Sequence, residues 1–396
     1  MARIFTWEDG NPGIELVGGK AYGLYAIQKA LPELRRLGGF KVPRFLVVPP
    51  GIPSDSPEII SAARALSGEA APSYWVRSSS ILEDWGAHSL FGVFGTEENV
   101  PLPRLPDAIE SVRRSGLTEY AVGRLAEFEL VAPEEIPVIV QLGAPRHVTS
   151  TAYSQVDGPE DLCKIAWTSL LHSGRRVDLF EKDATHTHVV RSSGYSVQEP
   201  RFERLCGASS LLEEKMNCPV IMEASWGFRY GTDLPRINLL QVRKLTVKEA
   251  PEIPYKDGEK LVFGTYDTGV PGEFAGPAFF VYLKRSGSPT ADTRGLVRFN
   301  EENPDGFVLF TPYLKSEDER LPIPSNARAV VGTSLQTGSH DGEICRERGI
   351  LYLNAERVSG IPGTTDLIKF ARIRTGDPVR IASTGTVGVI YLPKGG

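Results

Sequence analysis

Short apolar runs, each closed by proline, glycine or a serine cluster, constrain this chain more than any other feature. Phe45-Leu46-Val47-Val48 stops at Pro49-Pro50, and Trp75-Val76-Arg77 stops at Ser78-Ser79-Ser80. Ile136 to Leu142 is a third run, with Pro137 near its start and Gly143 after it. Runs of this length between breakers read as strands. Pro219 to Glu223 and Ile237 to Val242 read as two paired strands joined by a long turn. A helical spacing runs through Leu24, Ile27, Leu31 and Leu34, and a shorter helix is expected from about Asp341 to Arg348, ended by Gly349 as its C-cap. The 40 glycines and 30 prolines follow no period, which excludes a collagen-like structure.

A length of 396 residues predicts two or three domains. The boundary is expected at Glu249-Ala250-Pro251-Glu252-Ile253-Pro254, where prolines and acids suggest an exposed linker. A formal net charge of −5 gives no footprint for sequence-blind nucleic-acid binding, which requires a basic surface. The first residues lack the apolar run of a signal peptide, and no apolar stretch reaches the roughly 20 residues that cross a bilayer. Four widely spaced cysteines form no CxxC pair, so neither a disulfide scaffold nor a zinc ribbon is expected. These features point to a cytoplasmic protein with no nucleic-acid partner and no membrane partner.

Several segments carry residue types suited to phosphate chemistry. Gly13 to Ala21 nearly imitates a phosphate-binding P-loop, but Gly19 intrudes before Lys20 and Ala21 has no oxygen for magnesium. The P-loop reading fails. Lys20 on a glycine-rich turn that opens a helix is still well placed to meet an anion, or is simply a solvated charge. Arg77 and the three serines after it could cradle phosphate oxygens, or the serines could cap a helix. Glu223 and Gln241, on the two paired strands, suit magnesium, with Arg243 two residues further on the same side. The plainer alternative is a solvated polar face.

Among six histidines, His340 is the most informative, because it opens the second helix. A neutral imidazole is a competent nucleophile, and a phosphate carried there would face the positive end of the helix dipole. Otherwise it is a capping-region histidine. His186 and His188 share one strand face without a third metal ligand, and Cys345 reads as packing.

Taken together, these segments resemble the phosphoenolpyruvate synthase and pyruvate phosphate dikinase family. Gly18-Gly19-Lys20-Ala21 with Val42-Pro43 and Phe45 is similar to its GGK…VP.GF opening. Val76 to Ser79, Glu83-Asp84, Phe91-Gly92 and Thr96 to Val100 resemble its VRSS…ED…F.G…T..NV block. Ile139-Val140-Gln141, then Glu223 and Gln241-Val242-Arg243, resemble its later strands. His340 with Ile344, Arg346-Glu347 and Gly349-Ile350 is similar to its HAAI.ARE.GIP helix. Thr268 to Gly272 with Gly276, and Gly385 to Gly388, resemble the opening and close of the same domain.

The resemblance implies an α/β and α+β multidomain chain. An ATP-grasp nucleotide-binding domain with two lobes would span residues 1–248, with a linker at 249–260. A swivelling phosphohistidine β/α domain would follow at 261–396. ATP and Mg2+ are the implied cofactors. Lys20 and Arg77 would contact the phosphates, Thr96 would lie on the loop covering them, and Gln141 near the adenine. Glu223 and Gln241 would hold magnesium, with Arg243 beside the transferring group. His340 would carry the phosphoryl group to a small-molecule acceptor or to a separate acceptor-binding protein.

The sequence also departs from the family. Ile221 replaces an acidic residue two before Glu223, and the turn before Gln241 is longer. Asp341-Gly342 follows His340 in place of two alanines, Gly338 replaces a regulatory threonine, and a GLGE-like segment has no clean match. No pyruvate-binding barrel follows by Gly396, so pyruvate conversion is not expected of this polypeptide. The expected activity is an ATP-dependent phosphotransferase working through His340. Two alternatives stay open: an ATP-grasp ligase acting through an acyl phosphate, and a nucleotide-binding regulatory module that has lost catalysis.

Overall fold

The computed structural model describes residues 3–10, 12–67, 73–84, 90, 93–126, 128–155, 162–169, 172–181, 189–192, 200–227, 236–245, 259–265, 268, 270–281, 293–311, 323–332, 340–354, 373–385 and 388–393. The chain forms two compact units. The first comprises Met1–Ser154, Trp167–Gly174 and Glu199–Leu245; the second comprises Gln155–Ala166, Arg175–Gln198 and Thr246–Gly396. Most of the expected linker, 249–258, lies outside the described residues, whereas Glu259 and Lys260 already open a strand, Glu259–Thr265.

In the first unit an antiparallel sheet has the order Phe5–Thr6, Phe45–Val48, Val138–Leu142, Ser73–Ser78, Thr96–Pro101. Strand periodicity sends alternate residues to opposite faces. Leu46, Val48, Tyr74, Val76, Val138 and Val140 therefore share one face, buried together with Ile59, Ala63 and Leu66 of helix Pro57–Ser67 and Ala108, Ile109 and Val112 of helix Leu105–Arg113. Each such Val or Leu contributes roughly 1.5–3 kcal/mol by leaving water. Phe45, Trp75, Arg77 and Gln141 lie on the opposite face, where Tyr25 packs edge-on against Phe45 with centroids 5.1 Å apart. That face holds the polar residues of interest.

A second layer of the first unit pairs Val148–Tyr153, Val220–Trp226 and Ile237–Lys244 antiparallel, with Phe40–Lys41 added in parallel. Helix Ile14–Gly38 lies against Ile237–Lys244 and against helix Pro200–Met216, burying Leu24, Ile27, Leu31 and Leu34. The approach is so close that a Cβ on Gly23 would stand 2.0 Å from the Val242 carbonyl oxygen. Phe202 closes this layer between Trp167 and Trp226, at 5.2 and 6.1 Å.

The second unit is built on a sheet ordered Glu259–Thr265, Gly388–Pro393, Pro378–Ser383, Gly272–Phe280, Phe307–Thr311, Ala327–Gly332, Leu351–Asn354. Its last four strands run parallel and the other pairs antiparallel. Phe307–Thr311 and Leu351–Asn354 are buried at every residue, as parallel strands covered on both faces should be. Arg380 ties this sheet together: it donates to Glu259 through Nε at 2.8 and 2.9 Å and also through Nη2, and its Nη1 lies 3.5 Å from Glu273. Lys164 is buried in the same unit, donating to the Thr268 carbonyl at 2.5 Å and the Gly385 carbonyl at 3.4 Å. Among the described residues, no helix is long and apolar enough to cross a membrane.

Candidate functional site

The glycine-rich segment puts a break in helix Ile14–Gly38, and the long part of that helix opens just beyond it, at Lys20, as the sequence suggested. Helix Ile14–Gly38 breaks at Gly18, whose φ of 75° and ψ of 175° belong to a region open essentially to glycine alone. A Cβ there would stand 1.3 Å from the Ser79 carbonyl oxygen, so the turn lies directly on the end of strand Ser73–Ser78. The helix that restarts beyond it finds its caps in that strand end. Ala21 N–H donates to Ser79 Oγ at 2.9 Å and Gly19 N–H to the Ser80 carbonyl at 3.4 Å. Lys20, almost wholly buried, donates from Nζ to Ser78 Oγ at 3.0 Å. Ser80 Oγ accepts from Leu82 N–H at 3.2 Å at the start of helix Ile81–Asp84. Ser80 thus caps the following helix, the plainer of the two readings, while the Ser78 and Ser79 hydroxyls bind the lysine turn, a role neither reading expected.

Arg77 enters the same region from the sheet and is 7% exposed. Its Nη1 donates to the Leu240 carbonyl at 2.9 Å and its Nη2 to Gln241 Oε1 at 2.6 Å. The same Nη2 lies 3.7 Å from Glu223 Oε2. Glu223 and Gln241 face each other directly across the strand pair, as their spacing in the sequence suggested. Next to them the ladder slips, with Glu223 opposite Gln241 but Ala224 opposite Leu239. Leu240 is the extra residue of a β-bulge, whose main-chain groups leave the regular ladder. Its carbonyl is the one Arg77 takes. Sequence reasoning missed this acceptor because a backbone oxygen has no side-chain signature.

Other expected residues fall nearby in the sheet but in different settings. Thr96 is exposed and opens strand Thr96–Pro101 opposite Arg77, so it sits on a strand where a loop was expected. Gln141 pairs across the sheet with Trp75 and Phe45; it is fully buried, and its amide oxygen and nitrogen have no hydrogen-bond partner among the described residues. Beside it, the Arg146 guanidinium stacks on Trp75 at 4.1 Å. Arg243 is buried opposite Ile221, itself 3% exposed.

The pair Glu223 and Gln241 does not fit a protein-held magnesium as it stands. Gln241 Oε1 is already engaged by a guanidinium, and Ile221 supplies no oxygen where a further ligand was sought. Among the described residues, no group of three His, Cys, Asp or Glu side chains is placed to hold a metal ion.

In the second unit, His340 is the first residue of helix His340–Glu347, one residue earlier than the expected start. Gly349, at φ 65°, ends that helix in the left-handed conformation, and Ile350 N–H donates back to the Cys345 carbonyl at 2.8 Å. Cys345 is fully buried, consistent with packing. His186, His188, Phe91-Gly92, Gly338 and Thr386-Val387 lie outside the described residues.

No protein-family description matches the chain, and a comparison with curated proteins finds no match. Among solved structures, D-alanyl-alanine synthetase A from Vibrio cholerae aligns over 57% of this chain and 58% of its own, at 13% identity and a TM-score of 0.29. The D-alanine-D-alanine ligases of Coxiella burnetii and Helicobacter pylori align at 8% and 10% identity, each over 57% of this chain and with a TM-score of 0.29. The match spans 50% of the Coxiella and 56% of the Helicobacter structure. The alignment thus spans little more than half the length of each of these structures at most.

Proposed function

We propose that the chain is an ATP-dependent phosphoryl-transfer enzyme, with an ATP-grasp-type nucleotide site in its first unit and His340 as phosphoryl carrier in its second. The supporting observation is the convergence in the first unit's interior of Lys20, Arg77, Glu223 and Gln241, residues up to 221 positions apart in the chain. Two cations there are joined through consecutive residues of one strand end, since Lys20 bonds Ser78 and Arg77 precedes it. Positioning and electrostatic stabilisation are what phosphoryl transfer needs, because the protein contributes little covalent chemistry of its own. Lys20 and Arg77 would bind the triphosphate and offset charge on its oxygens. Gln141, with an amide donor and acceptor both without partners among the described residues, could pair with the edge of the nucleobase. ATP stays in the proposal as substrate; no step is assigned to magnesium.

In the carrier step the neutral imidazole of His340 attacks phosphorus. An N–P bond forms as the P–O bond to the leaving nucleotide breaks, and the imidazole proton passes to solvent. An acceptor oxygen, on a small molecule or a separate protein's substrate, then takes the group and regenerates histidine. Incubation with magnesium and ATP, followed by mapping of acid-labile phosphate, tests this. Phosphate on His340, lost in His340→Ala, supports the carrier. Intact ATP turnover in His340→Ala overturns it. A second reading, a ligase forming an acyl phosphate with His340 as a spectator, is favoured by the sequence after that histidine, Asp341-Gly342 in place of the two alanines of the resembled family. It predicts ADP formation only when a carboxylic acid and a nucleophile are both added.

A further inference from the structure

We infer that the cation held between Glu223 and Gln241 is the guanidinium of Arg77. On this view Glu223, Gln241 and the Leu240 carbonyl are positioning groups for that arginine, not ligands of a metal ion. The inference rests on the proposed nucleotide site only for the ligand that Arg77 faces.

Three contacts carry it. The two terminal nitrogens of one planar group take separate acceptors, the Leu240 carbonyl at 2.9 Å and Gln241 Oε1 at 2.6 Å, and a carboxylate at 3.7 Å balances the charge. The Leu240 carbonyl belongs to the one residue that the strand carries in excess at that point. A metal about 2.0–2.1 Å from Gln241 Oε1 would displace the guanidinium from this contact. An arginine 7% exposed would then lose acceptors that offset its desolvation. The pair opposite Arg243 adds no competing ligand, since Ile221 is apolar. The positive charge at the site is then carried by a planar five-donor fork of the chain itself rather than by a bound ion. Its direction is set by the amide and the bulge carbonyl together, which fix the plane of the fork.

The test is nitrogen-15 NMR of full-length protein labelled on arginine. A guanidinium held at both ends gives resolved, slowly exchanging Nη–H signals, whereas freely rotating surface arginines average theirs. The Arg77 signals are identified by their loss in Arg77→Lys. We expect them to persist unmoved when millimolar magnesium chloride is added. We also expect them to broaden in Gln241→Leu and to return in Gln241→Glu, which restores an acceptor oxygen. Manganese affinity, read by electron paramagnetic resonance without nucleotide, should agree within about twofold between wild type and Glu223→Gln; loss of a true ligand costs at least the roughly tenfold seen for outer-shell partners. Displacement of the Arg77 signals by magnesium, their absence from the wild-type spectrum, or a tenfold loss of manganese affinity overturns the inference. The magnesium arm is read on wild-type protein, with Arg77→Lys serving only to assign the signals. Failure of the nucleotide reading shows separately, as no response of the same sample to ATP.

Discussion

Replacing Gly18 by alanine should cost far more than the usual glycine-to-alanine exchange. The new Cβ would start 1.3 Å from the Ser79 carbonyl oxygen, and real Cβ contacts essentially never fall under 3.0 Å, so turn and strand end must part by at least 1.7 Å. That displacement breaks the Ala21–Ser79 bond at 2.9 Å and the Gly19–Ser80 bond at 3.4 Å. Two hydrogen bonds at about 1 kcal/mol each, with about 1–3 kcal/mol for a side chain in the glycine-only region, give a loss of roughly 3–5 kcal/mol. Gly39→Ala is the matched control: Gly39 has the same φ of 75°, but nothing lies within 4 Å of its Cβ position. Its cost should be the backbone term alone, about 1–2 kcal/mol. Urea unfolding followed by tryptophan emission measures both, because all five tryptophans belong to the first unit. Equal losses in the two variants would show that the contact with Ser79 does not hold the turn, and the account of how Lys20 is positioned would fall with it.

Arg380→Met should destabilise the second unit by about 3–5 kcal/mol, because it strands the Glu259 and Glu273 carboxylates that the arginine now pairs; a thermal-melt loss equivalent to under about 1 kcal/mol would contradict that role. Cys218 is half-buried and burial pushes its thiol above the ordinary 9.0, with Lys244 only partly opposing. Its alkylation rate, followed by peptide mass spectrometry, should still be rising at pH 9.0, and a plateau below that value refutes the shift. Asp9 is held below the usual carboxylate range, first by the Thr6 N–H and with help from the Thr6 hydroxyl and Arg3. A lowered folded pKa means the stabilisation is fully present above the unfolded value near 3.9 and is lost as pH falls through the folded one. Asp9→Asn should therefore flatten the acid limb of the stability curve below about pH 4, and an unchanged limb would remove Asp9 from it.

Much of the site was legible in the sequence where a residue's type and its local period agree. The strand ending at Arg77 was readable from its neighbours, as was the facing of Glu223 and Gln241, because apolar flanks fix which strands are buried. The helix at His340 announced its end through Gly349. What remained hidden depends on contacts between distant segments. The clamp on Arg77 joins residues 163 and 164 positions apart, and one of its acceptors is a backbone carbonyl exposed by a bulge. Nothing in the letters Leu-Leu-Gln marks which leucine is in excess. The same holds for Gly18, where the turn was visible but its closeness to Ser79 was not. Thr96 was assigned to a loop by resemblance alone, yet pairing with Arg77 makes it a strand residue. Nor does local composition reveal that 155–166 and 175–198 belong with the later part of the chain.

That interleaving sets a timetable for the protein's birth on the ribosome. Lys164 takes one of its carbonyl partners from Gly385, 221 residues later. At about 5–20 residues per second, the lysine and its apolar strand neighbours emerge roughly 10–45 s before that partner exists. The first unit must therefore be assembled while segments that interrupt it in sequence are still waiting for theirs. Slower translation of the second half lengthens the exposure of that strand, and chaperone capture during synthesis should peak on nascent chains longer than Lys164 and shorter than Gly385.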